Sequence, residues 1–267
     1  MRCALEEIDS LAFGRNVLRL EEPKAQADFR GFEKEYLAAW TPFYVHVKIP
    51  AEEPALIHYF EDQGFRFVEF QLRMTKRLPR RKYDLSFFEG AIAAEEAGPT
   101  EDIEPILQLA DDIFENDRIS RDPRLGRAPA RRRYRLYIEK SWRAADEHLL
   151  KFYDPRSREL TGFHTHKLTD GATMLHFLGG LARKHWNSGL IFGHELMMYN
   201  RWIDLGVRKM VTHISMSNYR TLESGYKAHD FKAEQAFAVL RKLYPENAAA
   251  PDRASLGADD ERPNLEQ

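Results

Sequence analysis

The sequence predicts an α/β protein, and two observations lead to this prediction. An apolar run with two glycines, Ala172–Ala182, leads through a short basic stretch into Asn187-Ser188-Gly189, and a helical pattern follows. Strand and helix patterns alternate again after that helix and also within the first 75 residues, as expected when helices pack on a sheet. A strand that ends in a loop opening a helix presents backbone N–H groups to a pyrophosphate. An ordinary buried strand and turn would produce the same pattern.

Strand and helix patterns occur in two parts of the chain. The N-terminal part carries one strand–helix–strand unit, at residues 43–49, 52–63 and 65–74. The C-terminal part begins with a helix from Glu101 and continues through strands at 149–154, 159–168 and 172–182, a helix at 192–205, a strand at 209–214, a helix opened by Ser217-Asn218 and a strand at 233–240. The apolar residues of the helices recur at helical spacing, which predicts amphipathic helices.

Composition shifts along the chain indicate the domain boundaries. Residues 76–96 contain basic pairs followed by alanines and glutamates, and we expect an interdomain linker there. The tail, 246–267, is rich in Ala, Pro, Asp and Glu without periodicity, so we expect it to be disordered. The predicted domains are therefore 1–75 and 97–245.

Composition also bounds the function. Hydrophobic residues make up 43% of the chain and the formal net charge is −2, so bulk charge does not indicate a polyelectrolyte partner. The single cysteine, Cys3, rules out an internal disulfide framework and fits a reducing, cytoplasmic location. No apolar stretch approaches the roughly 18 residues of a membrane span, so we expect no membrane insertion.

Arginines are concentrated between Arg118 and Arg135, which contains eight of them. One interpretation is an anion-binding edge for a substrate diphosphate or an acidic carrier protein. The other is a solvated face of the helix predicted at 129–142, and both interpretations stay open. We do not expect nucleic-acid binding, because Tyr134 and Tyr137 are the only stacking aromatics among these arginines.

The C-terminal part resembles the GCN5-related N-acyltransferases, the GNAT superfamily, in the order of its elements and in three motifs. The acyl-CoA loop of the superfamily aligns with Trp186–Ile191 and keeps its central glycine, Gly189. Asn218 falls on S-x-N-x-x-x-L, and Tyr226 falls on the tyrosine of L-Y-x-x-x-G-F, where Asp230 replaces the glycine. The resemblance implies the GNAT fold, a mixed and mostly antiparallel sheet flanked by helices.

The N-terminal part extends this resemblance. Its D-S-x-x-F-G opening at Asp9 and its VKIP…LIHYFEDQGFRFVE block look like those of the TDP-fucosamine acetyltransferases. These two-domain GNAT enzymes acetylate the amino group of a nucleotide-linked amino sugar. The resemblance implies a truncated GNAT-like N-terminal lobe, in which Phe60 takes the place of Tyr226, so we expect no catalysis there. It also makes Arg121 and Arg124 the expected contacts to the acceptor, through an S-R-x-x-x-D-P-R pattern matched here with shorter spacing.

The resemblance implies acetyl transfer from acetyl-CoA to a small-molecule amine. The ammonium must lose a proton, the oxyanion must be stabilised, and the thiolate must be protonated. Tyr226 is the expected acid, with a core tyrosine as the plain alternative. His176 is the expected base because histidine titrates near neutral pH, although a lone histidine on an apolar strand is often a satisfied core residue.

The expected acetyl-CoA contacts are mostly backbone groups. The strand end should pair with the pantetheine amides, the loop amides should meet the pyrophosphate, and one side chain should meet the pantetheine arm. The residues at the strand end are Gly180, Leu181 and Ala182. Those of the loop are Asn187, Ser188, Gly189, Leu190 and Ile191, and the side chain for the pantetheine arm is that of Asn218.

We expect no metal site. His164 and His166 alternate on one strand, but no carboxylate or cysteine partner has ligand spacing. Two alternatives to the acetyl-CoA enzyme stay open: a GNAT-fold acyltransferase that uses an acyl carrier protein thioester, and a non-catalytic GNAT-like binding module. The sequence leaves the oligomeric state open, a homodimer included.

Overall fold

The computed structural model describes residues 1–114, 117–122, 124–227 and 229–244, except for the side chains of 225–227. The elements in chain order are β1 (Arg2–Leu5), α1 (Glu7–Phe13), β2 (Val17–Glu21), α2 (Phe29–Trp40), β3 (Tyr44–Pro50), α3 (Pro54–Asp62), β4 (Arg66–Arg77), β5 (Ala93–Glu96), α4 (Glu104–Ile113), α5 (Arg127–Arg143), β6 (Glu147–Tyr153), β7 (Leu160–Leu168), β8 (Thr173–Leu181), α6 (Leu190–Asp204), β9 (Lys209–Ser215), α7 (Tyr219–Lys227) and β10 (Lys232–Leu243). The chain forms two compact units, one of Met1–Phe70 with the C-terminal residues from Ala236, the other of Gln71–Gln235.

The sheet of the first unit contains β1, β2, β3, the end of β10 and the first residues of β4, in that order. β1 and β2 are antiparallel, β2 and β3 are parallel, and β10 runs antiparallel to β3 from Phe237 to Leu243. Its core is rich in aromatic side chains, among which Phe29, Phe60 and Phe65 are buried. The Tyr36 and Tyr244 hydroxyls lie 2.6 Å apart and join α2 to the end of β10.

The second unit contains a mixed, largely antiparallel sheet with the strand order β4-β9-β8-β7-β6-β5. Only β8 and β9 are parallel, and the other neighbours pair antiparallel. Successive residues of a strand face opposite sides: Leu150 packs in the cluster that contains α6, whereas Leu149 packs in the cluster of α4 and α5. Helices therefore cover both faces of this sheet, as the fold prediction requires.

The boundaries of the two units differ from the predicted domain boundaries. The segment 76–96, predicted to be an interdomain linker, belongs to the second unit, and within it β5 pairs with β6. The Asn200 side chain on α6 also accepts from the backbone N–H of Tyr83 at 2.7 Å and donates to its carbonyl at 2.9 Å. The charged composition of residues 76–96 therefore gave no sign that part of this segment pairs with the sheet of the second unit. The predicted tail, 246–267, lies outside the described residues.

Crossing a bilayer as a helix requires about 20 mostly apolar residues, and the described helices can be judged by that requirement. None of them combines the necessary length with the necessary apolar character.

Candidate active site

The central feature of the second unit is the divergence of β8 from β9. The two strands pair in parallel only from Thr173 to His176 on β8 and from Lys209 to Thr212 on β9. β8 continues to Leu181 and pairs there with β7 alone among the described residues. The opposite edge of residues 177–181 is therefore available to a ligand that pairs as an added strand.

Glycines allow close packing along this part of β8. A Cβ built on Gly180 would lie 2.2 Å from Ile113 Cδ1, and a Cβ on Gly162 of β7 would lie 2.5 Å from the Gly180 carbonyl oxygen. Gly180 thus lets α4 approach the strand at the place where the sequence predicts the pantetheine contacts.

The predicted pyrophosphate contacts, residues 187–191, lie at the end of the loop from Ala182 to Gly189 and in the first turn of α6. The Ser188 N–H donates to the His185 carbonyl at 3.0 Å, and the Leu190 N–H donates to Ser188 Oγ at 3.2 Å. Within the described part of the chain, the N–H groups of Asn187, Gly189 and Ile191 have no such acceptor. Three of the five predicted amide donors are therefore available at the start of α6, a suitable arrangement for an anion.

A tryptophan fixes the shape of this loop. The Trp186 indole N–H donates to the Leu181 carbonyl at 2.8 Å. The guanidinium groups of Arg183 and Arg220 lie 4.8 and 4.9 Å from its ring centroid, within the range of cation–π attraction. Arg183 also donates to the Asp112 carbonyl at 2.8 Å. The loop is therefore held by residues of α4, β8 and α7.

Asn218 lies where β9 leads into α7. Its carbonyl accepts from the Leu222 N–H at 3.1 Å, and its Oδ1 accepts from the Thr221 N–H at 3.4 Å. These are the contacts of a helix N-cap, so part of the predicted donor-binding side chain has a structural role. Tyr226 belongs to α7, but its side chain lies outside the described residues.

His176 lies in a buried cluster with the two histidines of β7. His176 Nε2 and His164 Nδ1 are 3.1 Å apart, and the rings of His176 and His166 are stacked with centroids 4.8 Å apart. Burial lowers the pKa of all three imidazoles below their usual value, while the nearby Glu195 carboxylate opposes this shift at His176. The cluster is therefore neutral near pH 7, and a neutral imidazole can accept a proton.

The sequence analysis missed two charged residues in this region: Glu195 lies near His176, and Lys76 lies near Glu195. The Tyr199 hydroxyl donates to Glu195, which lies on α6 directly after His194. Lys76 Nζ lies 5.2 Å from the Tyr199 ring centroid and donates to the His229 carbonyl at 2.5 Å. Burial lowers the pKa of Lys76, and Asp230 and Glu195 oppose that shift. The sequence signal for Glu195 was its position in the first half of the helix after the loop.

The predicted acceptor contacts lie on a separate segment. Arg121 and Arg124 are both exposed, and buried Asp122 between them accepts from the Arg124 N–H at 3.0 Å. Other arginines of the segment have partners: Arg135, for example, pairs with Glu104 and Asp111. Arg121 and Arg124 therefore remain available to an anion, whereas Arg135 stabilises the contact between α4 and α5.

Several solved structures have an architecture similar to that of this chain. A GCN5-related N-acetyltransferase from Sphaerobacter thermophilus is similar with a TM-score of 0.62 and 13% identity, over 90% of this chain and 76% of that chain. The fold is that of the GCN5-related N-acetyltransferases. A tandem GNAT protein from the clavulanic acid biosynthesis pathway is similar with a TM-score of 0.56 and 12% identity, over 88% of this chain and 77% of that chain.

A further structure with the GNAT fold is the glucosamine N-acetyltransferase region of a fungal multi-domain GH3 β-N-acetylglucosaminidase. It is similar with a TM-score of 0.59 and 10% identity, over 85% of this chain and 30% of that chain. No protein-family model and no curated protein matches the sequence. The predicted GNAT fold is confirmed.

Proposed function

We propose that this protein is an N-acyltransferase that acetylates the amino group of a small molecule with acetyl-CoA as co-substrate. The observation that carries this proposal is the divergence of β8 from β9 after His176. It leaves a strand edge beside a loop with available amide donors, an arrangement that suits an extended chain bearing a pyrophosphate.

The proposed reaction uses two side chains for proton transfer. The amine nitrogen attacks the thioester carbonyl carbon, the oxyanion collapses, and the C–S bond breaks to release the thiolate. His176 accepts the proton that the ammonium loses, consistent with its neutral state. Tyr226 donates a proton to the departing thiolate, a role that rests on the resemblance of its motif alone.

The proposed acceptor is an amino sugar, with a nucleotide-linked sugar as the first compound to test. Two features support this class. Arg121 and Arg124 are exposed on a segment that can meet a diphosphate. One protein with a similar fold is described as a glucosamine N-acetyltransferase region.

Binding of acetyl-CoA is tested by thermal unfolding with a matched pair of glycine variants. Gly189 has φ = 77° and Gly206 has φ = 83°, so alanine at either position costs roughly 1–2 kcal/mol of backbone strain. Only Gly189 lies at the proposed pyrophosphate loop. We expect acetyl-CoA at about 100 times its Kd to stabilise the wild type by about 2.7 kcal/mol, and Gly189→Ala to lose this stabilisation while Gly206→Ala keeps it.

The outcomes separate the alternatives. Stabilisation by acetyl-CoA together with acetylation of an amino sugar supports the proposal. Stabilisation without acetylation of any amine in a broad panel would indicate a binding module. Failure to bind acetyl-CoA, with transfer from an acyl carrier protein instead, would indicate the carrier-dependent enzyme.

A further inference from the structure

Three histidines on two adjacent strands, of which His164 and His166 are buried and His176 is half-buried, lie close enough together to share a metal ion. One ring nitrogen from each of His164, His166 and His176 lies within 4.8 Å of the other two. Ligands of a tetrahedral zinc ion at about 2.05 Å would be about 3.3 Å apart. The 3.1 Å separation of His164 Nδ1 and His176 Nε2 is close to that value.

The backbone produces this arrangement through a strand irregularity and a glycine. The β7–β8 register shifts between Thr165 and His166, so that His166 faces His176 while His164 faces Gly179. A Cβ on Gly179 would lie 2.5 Å from His164 Nδ1 and 2.9 Å from His176 Nε2. A glycine is therefore needed to make room for the two nitrogens that point at each other.

The donor atoms and their surroundings suit a late transition metal. Imidazole is a common ligand of Zn²⁺, Co²⁺ and Cu²⁺, and thioethers favour the softer members of this group. Met198 Sδ lies 2.7 Å from His166 Nε2.

Hydrogen bonding within the cluster is incomplete. His164 and His166 are almost fully buried, yet His164 Nε2 and His166 Nδ1 have no partner among the described residues. Buried polar atoms without partners are uncommon in proteins. Because His164 faces His176 through Nδ1, the ligand set would be His164 Nδ1, His176 Nε2 and one ring nitrogen of His166.

A cavity has one lining residue in contact with the cluster. It has a volume of about 440 Å³ and is lined by residues of β5, β6 and α6, among them Leu150, Met197 and Met198. Met198 lines the cavity and also contacts His166. Met198 is therefore the residue that the cavity and the histidine cluster share.

We propose that His164, His166 and His176 bind one late first-row transition-metal ion, with Zn²⁺ as the representative. Three histidine ligands leave a coordination position open, which Met198 or a water molecule can occupy. The site goes beyond the proposed acyl transfer and competes with it. A metal ion bound to His176 would use the lone pair that otherwise accepts the proton of the amine.

The test measures metal binding in the full-length protein without any acyl donor. Protein stripped with a chelator is titrated with Co²⁺, followed by its visible absorption, and then with Zn²⁺. We expect one equivalent of Co²⁺ with a spectrum of low coordination number, displaced by Zn²⁺. His164→Gln and His176→Gln should each weaken binding about 100-fold or more, whereas His58→Gln, at an exposed histidine of α3, should bind as the wild type does.

Two results would overturn the proposal. One is wild-type protein that binds no equivalent of Co²⁺ and gains no thermal stability from Zn²⁺, a result that needs no variant to fold. The other is undiminished binding in folded His176→Gln. Neither result decides whether the protein transfers acyl groups, because acetyl-CoA binding and acetylation are measured separately on metal-free protein. Conversely, a metal-binding protein that acetylates no amine would remove the proposed function and leave the metal site.

Discussion

Two strand–helix–strand segments of this chain, β3-α3-β4 and β9-α7-β10, have similar lengths and different surroundings. With an offset of 166 residues, α3 aligns with α7 to within one residue and β4 aligns with β10 end to end. The same offset places Phe60 of α3 on Tyr226 of α7. The two segments are thus alike in backbone plan and differ in what the helix contributes.

In β3-α3-β4 the helix contributes to a core. Phe60 has no exposed surface, and its ring lies 5.9 Å from that of Phe29 and 5.3 Å from that of Phe65, nearly perpendicular to both. In β9-α7-β10 the helix is more polar, Leu222 is only partly buried, and Tyr219 is 76% exposed. A helix released from core packing can place side chains against a ligand. We therefore expect the helix of the first segment to contribute stability, and the proposed chemistry falls on the helix of the second.

The largest expected effect is on stability. Phe60→Ala should lower the free energy of unfolding by about 3–5 kcal/mol, because it removes a buried aromatic ring and leaves a cavity. Leu222→Ala is the matched control on α7 and should cost about 1 kcal/mol, because this side chain is only partly buried. Urea unfolding measures both values. Equal losses for the two variants would remove the distinction between the helices.

The next effect concerns turnover. Tyr226→Phe should reduce kcat by about 10²-fold with little change in the KM for acetyl-CoA, since it removes a proton donor that acts on the leaving thiolate. Tyr219→Phe, at the exposed end of the same helix, should leave kcat unchanged. An unchanged kcat in Tyr226→Phe would make Tyr226 a packing residue, as Phe60 is.

Much of this comparison could be predicted from the sequence, because it depends on local patterns. Alternation and helical spacing gave the strands around β8 and the helix α6 to within a few residues, and Asn218 was correctly expected to open a helix. The paired strand β5 was missed because its Ala and Glu residues resemble a linker. Its partner β6 is far away in sequence, and pairing of that kind leaves no local signal.

The histidine cluster shows the same limit. Alternation correctly placed His164 and His166 on one face, but the third member comes from β8 across a register shift. That shift depends on how two strands pair, which neither strand encodes alone. Gly179 was the available signal, since a glycine inside an apolar strand often marks a close approach.

A third prediction concerns the acceptor. If Arg121 and Arg124 bind a diphosphate, replacing either by alanine should raise the KM of a nucleotide-linked amino sugar by about 10–100-fold, because each charge-assisted hydrogen bond contributes roughly 1.5–3 kcal/mol. The KM for acetyl-CoA should not change. Arg127→Ala, at an exposed arginine that opens α5, is the control. Steady-state kinetics at two salt concentrations measure the effect, which should weaken as salt screens the charges.

The acceptor prediction has a clear opposite outcome. If the enzyme acetylates only uncharged free amines and neither arginine variant changes the KM, the arginine segment is a solvated surface. The comparison between the two strand–helix–strand segments would then stand, and only the substrate class would change.

The smallest expected effect separates two roles of one residue at the start of α7. The residue before α3, Glu53, makes no side-chain cap bond, whereas Asn218 caps α7 through its Oδ1. Asn218→Ala should therefore cost roughly 0.5–2 kcal/mol of stability. Asn218→Asp keeps an acceptor oxygen, and aspartate is an equally good N-cap, so this variant should unfold as the wild type does.

If the side-chain amide also donates to the pantetheine arm, Asn218→Asp should raise the KM for acetyl-CoA by about 2–10-fold, the worth of one neutral hydrogen bond. A normal KM in Asn218→Asp, together with a destabilised Asn218→Ala, would show that the asparagine serves the helix alone.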